Sequence, residues 1–248
     1  MKAEIVFLAG ASGAIGKSLV PQLVDAGYTV FGTTRFAERA RDLEDLGAKP
    51  IVVDVFNHSA LRQALLEIRP AIVVNQLTDL PKMRAGPLSE QVLKSNARLR
   101  ELGTRNLIEA ALGAGARHLI AQSLAWVYAP GPTPHGEEDP LDANAGGTAA
   151  ITNLSVIALE WMTLNSPPLA GVVLRYGQFY GPSTWNTAQN GSAPVHVDAA
   201  ARAAVLAITA ERVGTYNIAE EQGLVSTEKA RRELGWSADF RMHSPELA

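Results

Sequence analysis

The chain has 248 residues, of which 47% are hydrophobic and 19% charged, and its formal net charge is −3. This length allows one α/β domain or two, while the small net charge, without any run of five like charges, argues against a nucleic acid or a membrane surface as partner. The absence of cysteine excludes disulfides, thiolate catalysis and cysteine-ligated metals.

The amino-terminal residues enter a predicted strand at Glu4, which leaves no room for a signal peptide. No apolar stretch approaches the roughly 20 residues of a membrane span. We therefore expect a cytoplasmic protein without a membrane partner. The histidines have no metal-ligand spacing, so no metal site is expected; they are His58, His118, His135, His196 and His243.

Short apolar runs alternate with helical segments along the first two-thirds of the chain. The runs predict buried strands at Ile5–Leu8, Thr29–Phe31, Ile51–Val53, Ile72–Val74 and His118–Ile120. The helical segments are 14–26, 36–46, 58–67, 89–114 and 149–164. Strands that are apolar throughout are typical of parallel sheets covered on both faces. The alternation predicts one α/β domain over 1–248, a Rossmann-type doubly wound parallel sheet with a reduced substrate-binding region near the carboxyl terminus.

A glycine loop follows the first strand and opens the first helix. Gly10 permits a tight turn, Gly13 lets the backbone approach a pyrophosphate, and Gly16 lets helix and strand pack closely. The free N–H groups of the helix would bind the phosphates. The loop thus predicts a nicotinamide dinucleotide bound by Gly10, Ser12, Gly13, Ala14, Ile15 and Gly16.

The end of the second strand bears on the choice of cofactor. Dinucleotide sites specific for NAD usually carry an acidic residue there, but this chain has Thr34-Arg35. Arg35 can pair with a 2′-phosphate, which predicts NADP(H) with NAD(H) as a second possibility; a solvated arginine is the alternative. Asp54, before Val55, can accept a bond from the adenine amino group or cap the next helix. Leu77, after the fourth strand, completes the predicted cofactor set.

Three segments are expected to form small substrate-binding elements over the carboxyl edge of the sheet: 129–148, 181–194 and 212–248. Ser123 is the candidate catalytic residue at the end of the fifth strand. Tyr176 and Gln178 are the candidate substrate-binding residues beside it. A small-molecule substrate is expected, and a homodimer is possible.

These motifs resemble the extended short-chain dehydrogenase/reductase family, in its NAD-dependent epimerase/dehydratase branch. The similar segments are 10–16, 54–55, 103–107, 174–182, 195–200 and 229–236, which together span nearly the whole chain. Within 174–182, Gln178 stands where the family signature has Asn. The resemblance implies a nicotinamide-dependent enzyme whose general acid/base is a Tyr-x-x-x-Lys pair, assisted by a Ser or Thr.

The chain departs from that pattern at its catalytic positions. The resemblance places Tyr at Thr152, Lys at Val156 and the Ser/Thr at Leu124, one residue after Ser123. A neutral threonine cannot replace an activated phenol. The short segments after Gly181 and Tyr216 disfavour a nucleotide-sugar substrate. Three accounts stay open: an oxidoreductase with a displaced proton donor, a non-redox isomerase, cyclase or dehydratase, and a non-enzymatic dinucleotide sensor.

Overall fold

A computed structural model describes residues 3–81 and 86–242, and His243 lies outside them. Seven parallel strands form one sheet in the order β3-β2-β1-β4-β5-β6-β9. They are β1 Ile5–Ala9, β2 Thr29–Thr34, β3 Lys49–Val52, β4 Ile72–Asn75, β5 His118–Leu124, β6 Ala170–Tyr176 and β9 Gly214–Ile218. Two short strands, β7 Gln178–Tyr180 and β8 Pro194–His196, pair with each other. The predicted parallel Rossmann-type sheet is confirmed.

Helices cover both faces of the sheet. They are α1 Ala14–Asp25, α2 Ala40–Asp45, α3 His58–Ile68, α4 Glu90–Arg98, α5 Thr104–Ala114, α6 Gly147–Leu164, α7 Val197–Thr209 and α8 Glu228–Leu234. One apolar core lies between the sheet and α1 and α7, and a second lies between the sheet and α3 and α5. Both faces of the central strands are therefore buried, as their uninterrupted apolar runs predict. The buried strand predicted at Ile51–Val53 is wrong in its burial, because β3 is the edge strand of the sheet and Val52 is 53% exposed.

The long helix predicted over 89–114 is divided into α4 and α5 by a π-helical turn, Leu99–Gly103. A π turn inserts one residue into the helical repeat and changes which side chains face the sheet. After it, Thr104 accepts a hydrogen bond from Asn75 at the end of β4, at 3.0 Å. The π turn thus changes which side chains of α4 and of α5 face this edge of the sheet.

The order of the strands reverses between β1 and β4. From β1 the chain builds β2 and β3 to one side, and β4, β5, β6 and β9 to the other. In open parallel sheets, ligands bind outside the carboxyl ends of the strands at such a reversal. The glycine loop after β1 lies at this point.

Candidate functional site

The glycine loop is shaped by close backbone approaches. Gly10 has φ +88°, and a Cβ there would lie 2.5 Å from the carbonyl oxygen of Gln76. A Cβ on Gly16 would lie 2.3 Å from the carbonyl oxygen of Ala11. The N–H of Gly10 donates to Thr33 Oγ1 at 3.2 Å, which ties the loop to β2. Gly10 and Gly16 are therefore required by packing.

Gly13 is different, since a Cβ there would meet only the carbonyl oxygen of Gly10, at 3.3 Å. Gly13 is the N-cap of α1, and no side chain caps this helix. The first amides of a helix have no partner inside it, so those of Ala14, Ile15 and Gly16 are available to an anion. Ser12 is half-buried in the same loop. The cradle fits the pyrophosphate of a dinucleotide.

Arg35 has a partner that the sequence did not indicate. Its Nη2 donates to Asp79 Oδ1 at 2.8 Å, and Ser95 Oγ donates to the other oxygen of Asp79 at 2.5 Å. The bonds from Ser95 and from Arg35 hold the pKa of the Asp79 carboxyl below its usual range. Asn96 bonds the backbone N–H and carbonyl of Asp79, at 2.9 and 3.1 Å. The pair joins the end of β2 to the segment after β4, across the end of β1.

The remaining predicted cofactor residues line the same edge. Thr34 Oγ1 accepts from the N–H of Phe36, and the N–H of Leu77 donates to Asn75 Oδ1, both at 3.2 Å. Val55 is buried, and its carbonyl accepts from Asn106 at 2.9 Å. This bond gives the 103–107 motif a structural role.

Asp54 does not cap α3, so that alternative is wrong. Asp54 Oδ1 accepts from the N–H of Phe56 at 2.9 Å in a local turn. Asn57 is the N-cap, and its side chain accepts from Ala60 at 3.1 Å. The spacing explains this outcome, because a capping side chain bonds the second or third amide of the helix it caps.

Ser123 belongs to a buried polar network. Its Oγ donates to Glu160 Oε1 at 2.5 Å, and Arg175 bonds the same carboxylate twice, at 2.9 and 2.7 Å. Arg175 also donates to Tyr128, whose hydroxyl donates to Asn217 at 2.6 Å. Burial alone would lower the pKa of Arg175, but its bonds with Glu160 raise it. This geometry favours a structural role for Ser123 over the predicted catalytic one.

Tyr176 and Gln178 are also held by the protein. The Tyr176 hydroxyl is fully buried and accepts from Gln76 Nε2 at 3.4 Å, and burial raises the pKa of this phenol. Gln178 Oε1 accepts from the N–H of Ala193 at 3.0 Å. The oxygens Oε1 of Gln76 and of Gln122 on β5 are buried without a hydrogen-bond partner. Gln76 directly follows β4, and its carbonyl lies against Gly10, whereas Gln122 lies on the adjacent strand β5. Neither orphaned acceptor was predicted from the sequence.

Helix α6 carries Thr152 and Val156 opposite the end of β5. Val156 is fully buried and packs with Leu124 and Val127 in a small apolar cluster. No lysine occurs anywhere in α6, and no tyrosine in the chain precedes a lysine by four residues. The resemblance puts the lysine of the acid/base pair at Val156, and the surroundings of Val156 are apolar.

Two loops extend over this edge. In 129–148, His135 bonds the backbone of Leu224 and of Ser226, at 2.9 and 2.8 Å, which ties the loop to the carboxyl-terminal segment. In 181–194, Trp185 Nε1 donates to the carbonyl of Pro81 at 2.9 Å, which joins this loop to the segment after β4. The loops predicted to cover the site are thus each tied to a distant segment of the chain.

Over residues 3–81 and 86–242, no group of three potential ligands could hold a metal ion. Within the same ranges, no helix is both long enough and apolar enough to cross a membrane.

Comparison with known proteins bears on this geometry. A family model described as the NAD dependent epimerase/dehydratase family matches residues 6–240. The chain belongs to this family. Membership supports a nicotinamide dinucleotide as its cofactor.

One relative is close in sequence, and several solved structures are close in fold. The chain is 38% identical over 239 residues to a 3-diazoavenalumate denitrifying reductase from Streptomyces sp, a match covering 88% of this chain and 76% of that protein. UDP-glucose 4-epimerase from Thermotoga maritima has a TM-score of 0.77 at 17% identity, covering 96% and 94% of the two chains. A UDP-glucose 4-epimerase from Stenotrophomonas maltophila, solved with bound NAD, has a TM-score of 0.78 at 18% identity, covering 96% and 94%. At these identities the two structures establish the fold alone.

Proposed function

We propose that this chain is a reductase that uses a reduced nicotinamide dinucleotide, NADP(H) in preference to NAD(H), to remove N₂ from an aromatic diazo compound. When bound, the cofactor supplies a hydride. An arenediazonium ion plus a hydride gives an arene plus N₂: the bond from carbon to nitrogen breaks, a bond from carbon to hydrogen forms, and two electrons reduce the substrate. No proton is consumed in this balance.

The observation that carries the proposal is that α6 holds no acid/base pair at Thr152 and Val156. Reduction of a carbonyl needs a hydride and a proton, which a positioned acid usually supplies. Thr152 is neutral, and Val156 is buried against Leu124. Denitrification of a diazonium ion is a hydride reaction that does without such an acid.

The reductase relative from Streptomyces supports the same reaction, because its name describes reductive loss of nitrogen from a diazo compound. A nucleotide-sugar epimerase is less well supported, since its chemistry removes and returns protons and its substrate needs longer segments after Gly181 and Tyr216. The displaced-donor account, the non-redox account and the sensor account become outcomes of the test below.

The preference for NADP(H) rests on Arg35. Its bond to Asp79 joins two side chains that are 41% and 36% exposed, and such surface pairs contribute about 0–1 kcal/mol. A 2′-phosphate can therefore take over this guanidinium at small cost. Asp79 opposes the preference by its own negative charge. We assign the loop from Gly10 to Gly16 to the pyrophosphate of the same cofactor. The other predicted cofactor residues, Thr34, Asp54, Val55 and Leu77, are assigned to the same site.

We place the substrate between the end of β5 and the segment 176–182, under the loop 129–148. The segments 181–194 and 212–248 complete the enclosure within a single domain over 1–248. Ser123 and Tyr176 act there by holding the framework. Because the reductant is an intracellular one, we expect the protein in the cytoplasm.

A panel of substrates tests the reaction class. Purified protein with NADPH should oxidise the cofactor when 4-carboxybenzenediazonium is added, and should leave aromatic aldehydes and ketones unchanged. The parallel assay with NADH should be slower. Gly13→Val, which blocks the phosphate cradle, is the matched inactive control.

Reduction of a carbonyl by the parent protein would favour a displaced proton donor. Loss of N₂ without oxidation of NADPH would favour a non-redox enzyme. Tight binding of NADPH with no turnover of any substrate would favour the sensor. Each of these results contradicts the proposed reductase.

We further propose that the chain forms a homodimer through α5 and α6. Trp161 and Leu154 on the outer face of α6 are 65% and 52% exposed, and large exposed apolar residues on one helix face are typical of interfaces. Glu101 and Arg105 flank the same groove. Their opposite charges can pair across a twofold axis. Trp161→Glu should shift the sedimentation coefficient to that of a monomer, and an unchanged value would contradict this interface.

A further inference from the structure

Arg100 is a largely buried cation that has no counter-charge among the residues that the structure describes. It lies in the π-helical turn between α4 and α5, and its Nη1 donates to Ser155 Oγ at 3.3 Å. In the described residues no carboxylate lies within ion-pair distance of it. Burial lowers the pKa of Arg100 to about 10, without any opposing charge that would raise it.

The contrast with Arg175 makes this arrangement unusual. Arg175, which is buried, bonds both oxygens of Glu160. Buried charges in proteins are normally paired, because removing a charge from water is costly. A guanidinium has five N–H donors in a planar fork that fits a carboxylate, and the bond to Ser155 uses one of them. Arg100 therefore has the donors and the charge for a ligand that residues 3–81 and 86–242 do not supply.

The position of Arg100 is beside the proposed substrate site. Asn96, one turn earlier in α4, bonds the backbone of Asp79 after β4, and Thr104, one turn later, bonds Asn75 at the end of β4. Arg100 thus stands near the level of the carboxyl edge of the sheet. The partner of Arg100, Ser155, lies in the turn of α6 that also carries Val156, and its Oγ donates to the carbonyl of Thr152 at 2.8 Å.

We propose that Arg100 forms the binding site for a carboxylate group of the substrate. This inference rests on the proposed function, since it places the anionic end of an aromatic substrate between α4 and α6 while the reacting end lies near β5. A single guanidinium matches the single charge of a carboxylate. The cofactor phosphates are assigned to the glycine loop after β1, and β4 separates β1 from β5 in the sheet.

The test compares a charged ligand with a neutral one of the same shape. Binding of cinnamate and of methyl cinnamate to the NADP⁺-loaded protein is measured by calorimetry in wild type, Arg100→Met and Arg100→Lys. We expect wild type to bind the carboxylate at least about tenfold more tightly than the ester. The ratio should fall to about one in Arg100→Met and be intermediate in Arg100→Lys.

Two further variants distinguish a specific effect of Arg100 from a change in the overall charge and from loss of its bond to Ser155. Arg117→Gln removes a positive charge that pairs with Glu4 before β1, at the opposite edge of the sheet, and should leave the ratio unchanged. Ser155→Ala removes the bond to Arg100 but keeps its charge, so the ratio should stay within about threefold. Because α4 packs on α6, thermal melts must show that Arg100→Met is folded. If it is not, Arg100→Lys decides the result: an intermediate ratio supports the site and an unchanged ratio contradicts it.

No preference for the carboxylate in wild type, or an equal preference in wild type and Arg100→Met, would overturn the inference. Its outcome is independent of turnover. A carboxylate preference that depends on Arg100, in a protein that does not reduce a diazonium ion, would keep this site and refute the proposed reaction. Reduction without the preference would refute this site alone.

Discussion

Polar groups around the glycine loop are left open, whereas those around the end of β5 are bonded to one another. At the loop, the amides at the start of α1 have no side-chain cap, and the Arg35–Asp79 pair is exposed to solvent. At β5, Ser123, Glu160 and Arg175 form a closed and buried network. The first region is prepared for a charged ligand, and the second mainly holds the sheet, α6 and the loop 129–148 together.

A motif that resembles the family can therefore serve either ligand binding or the internal structure of the protein. The glycine motif keeps helix amides without a side-chain cap, which are the groups that the proposed dinucleotide would use. The segment from Leu174 to Pro182 keeps the family pattern, yet Arg175 and Gln178 use their polar groups inside the protein. Substitutions in the two regions should therefore affect different properties.

The largest effect is expected on stability, from Arg175→Met. This change leaves the Glu160 carboxylate buried without its partner, which should lower the free energy of unfolding by about 3–5 kcal/mol. Urea denaturation measures it. The matched control is Arg231→Met, which breaks an exposed pair with Glu221 and should cost less than about 1 kcal/mol. A similar decrease in the free energy of unfolding in the two variants would show that the buried network stabilises the fold no more than an exposed ion pair does.

Gly13→Val should act on binding and spare the fold. Gly13 has φ −82°, and a Cβ there would meet only the Gly10 carbonyl oxygen, at 3.3 Å, so a valine requires a small shift of that carbonyl and fills the space above the amides. We expect NADPH affinity to fall by at least about 100-fold, or about 2.7 kcal/mol, with the melting temperature little changed. Fluorescence titration gives the affinity. Gly16→Val is the contrasting variant and should unfold the protein; normal NADPH binding by Gly13→Val would remove the loop from the phosphate site.

Ser123→Ala should behave as a substitution in the framework. Loss of a bond to the Glu160 carboxylate should cost about 1–3 kcal/mol of stability. If the variant remains folded, kcat should stay within about threefold of wild type, since the hydroxyl is bonded to the buried Glu160 carboxylate. A fall in kcat of about 100-fold or more with an unchanged KM would restore Ser123 to a catalytic role.

The smallest effects concern cofactor choice. Arg35→Ala should weaken NADPH binding by about tenfold while leaving NADH binding nearly unchanged. Asp79→Asn should strengthen NADPH binding by a few-fold, because it removes a negative charge beside the 2′-phosphate. Arg117→Gln is the charge-matched control. Equal affinity of the parent protein for NADPH and NADH would refute the preference.

Much of the framework could be predicted from local sequence. The glycine spacing, the apolar strands and the Asn57 cap each depend on neighbouring residues, and the structure contains them. The partners of functional side chains could not be predicted. Arg35 meets Asp79 44 residues later, and Ser123 meets Glu160 37 residues later. The π turn before α5, which positions Arg100, also has no local signal in the apolar pattern.

Reductive denitrification is tested most directly by measuring NADPH oxidation and N₂ release in the same reaction. Membrane-inlet mass spectrometry follows N₂ from a ¹⁵N-labelled arenediazonium while absorbance follows the cofactor. We predict one N₂ for each NADPH oxidised, a slower reaction with cofactor deuterated at the transferring position, and a kcat that is flat from about pH 6 to 8 for want of a titrating acid. Nitrogen release without cofactor oxidation, or a kcat that follows a single ionisation across this range, would contradict it.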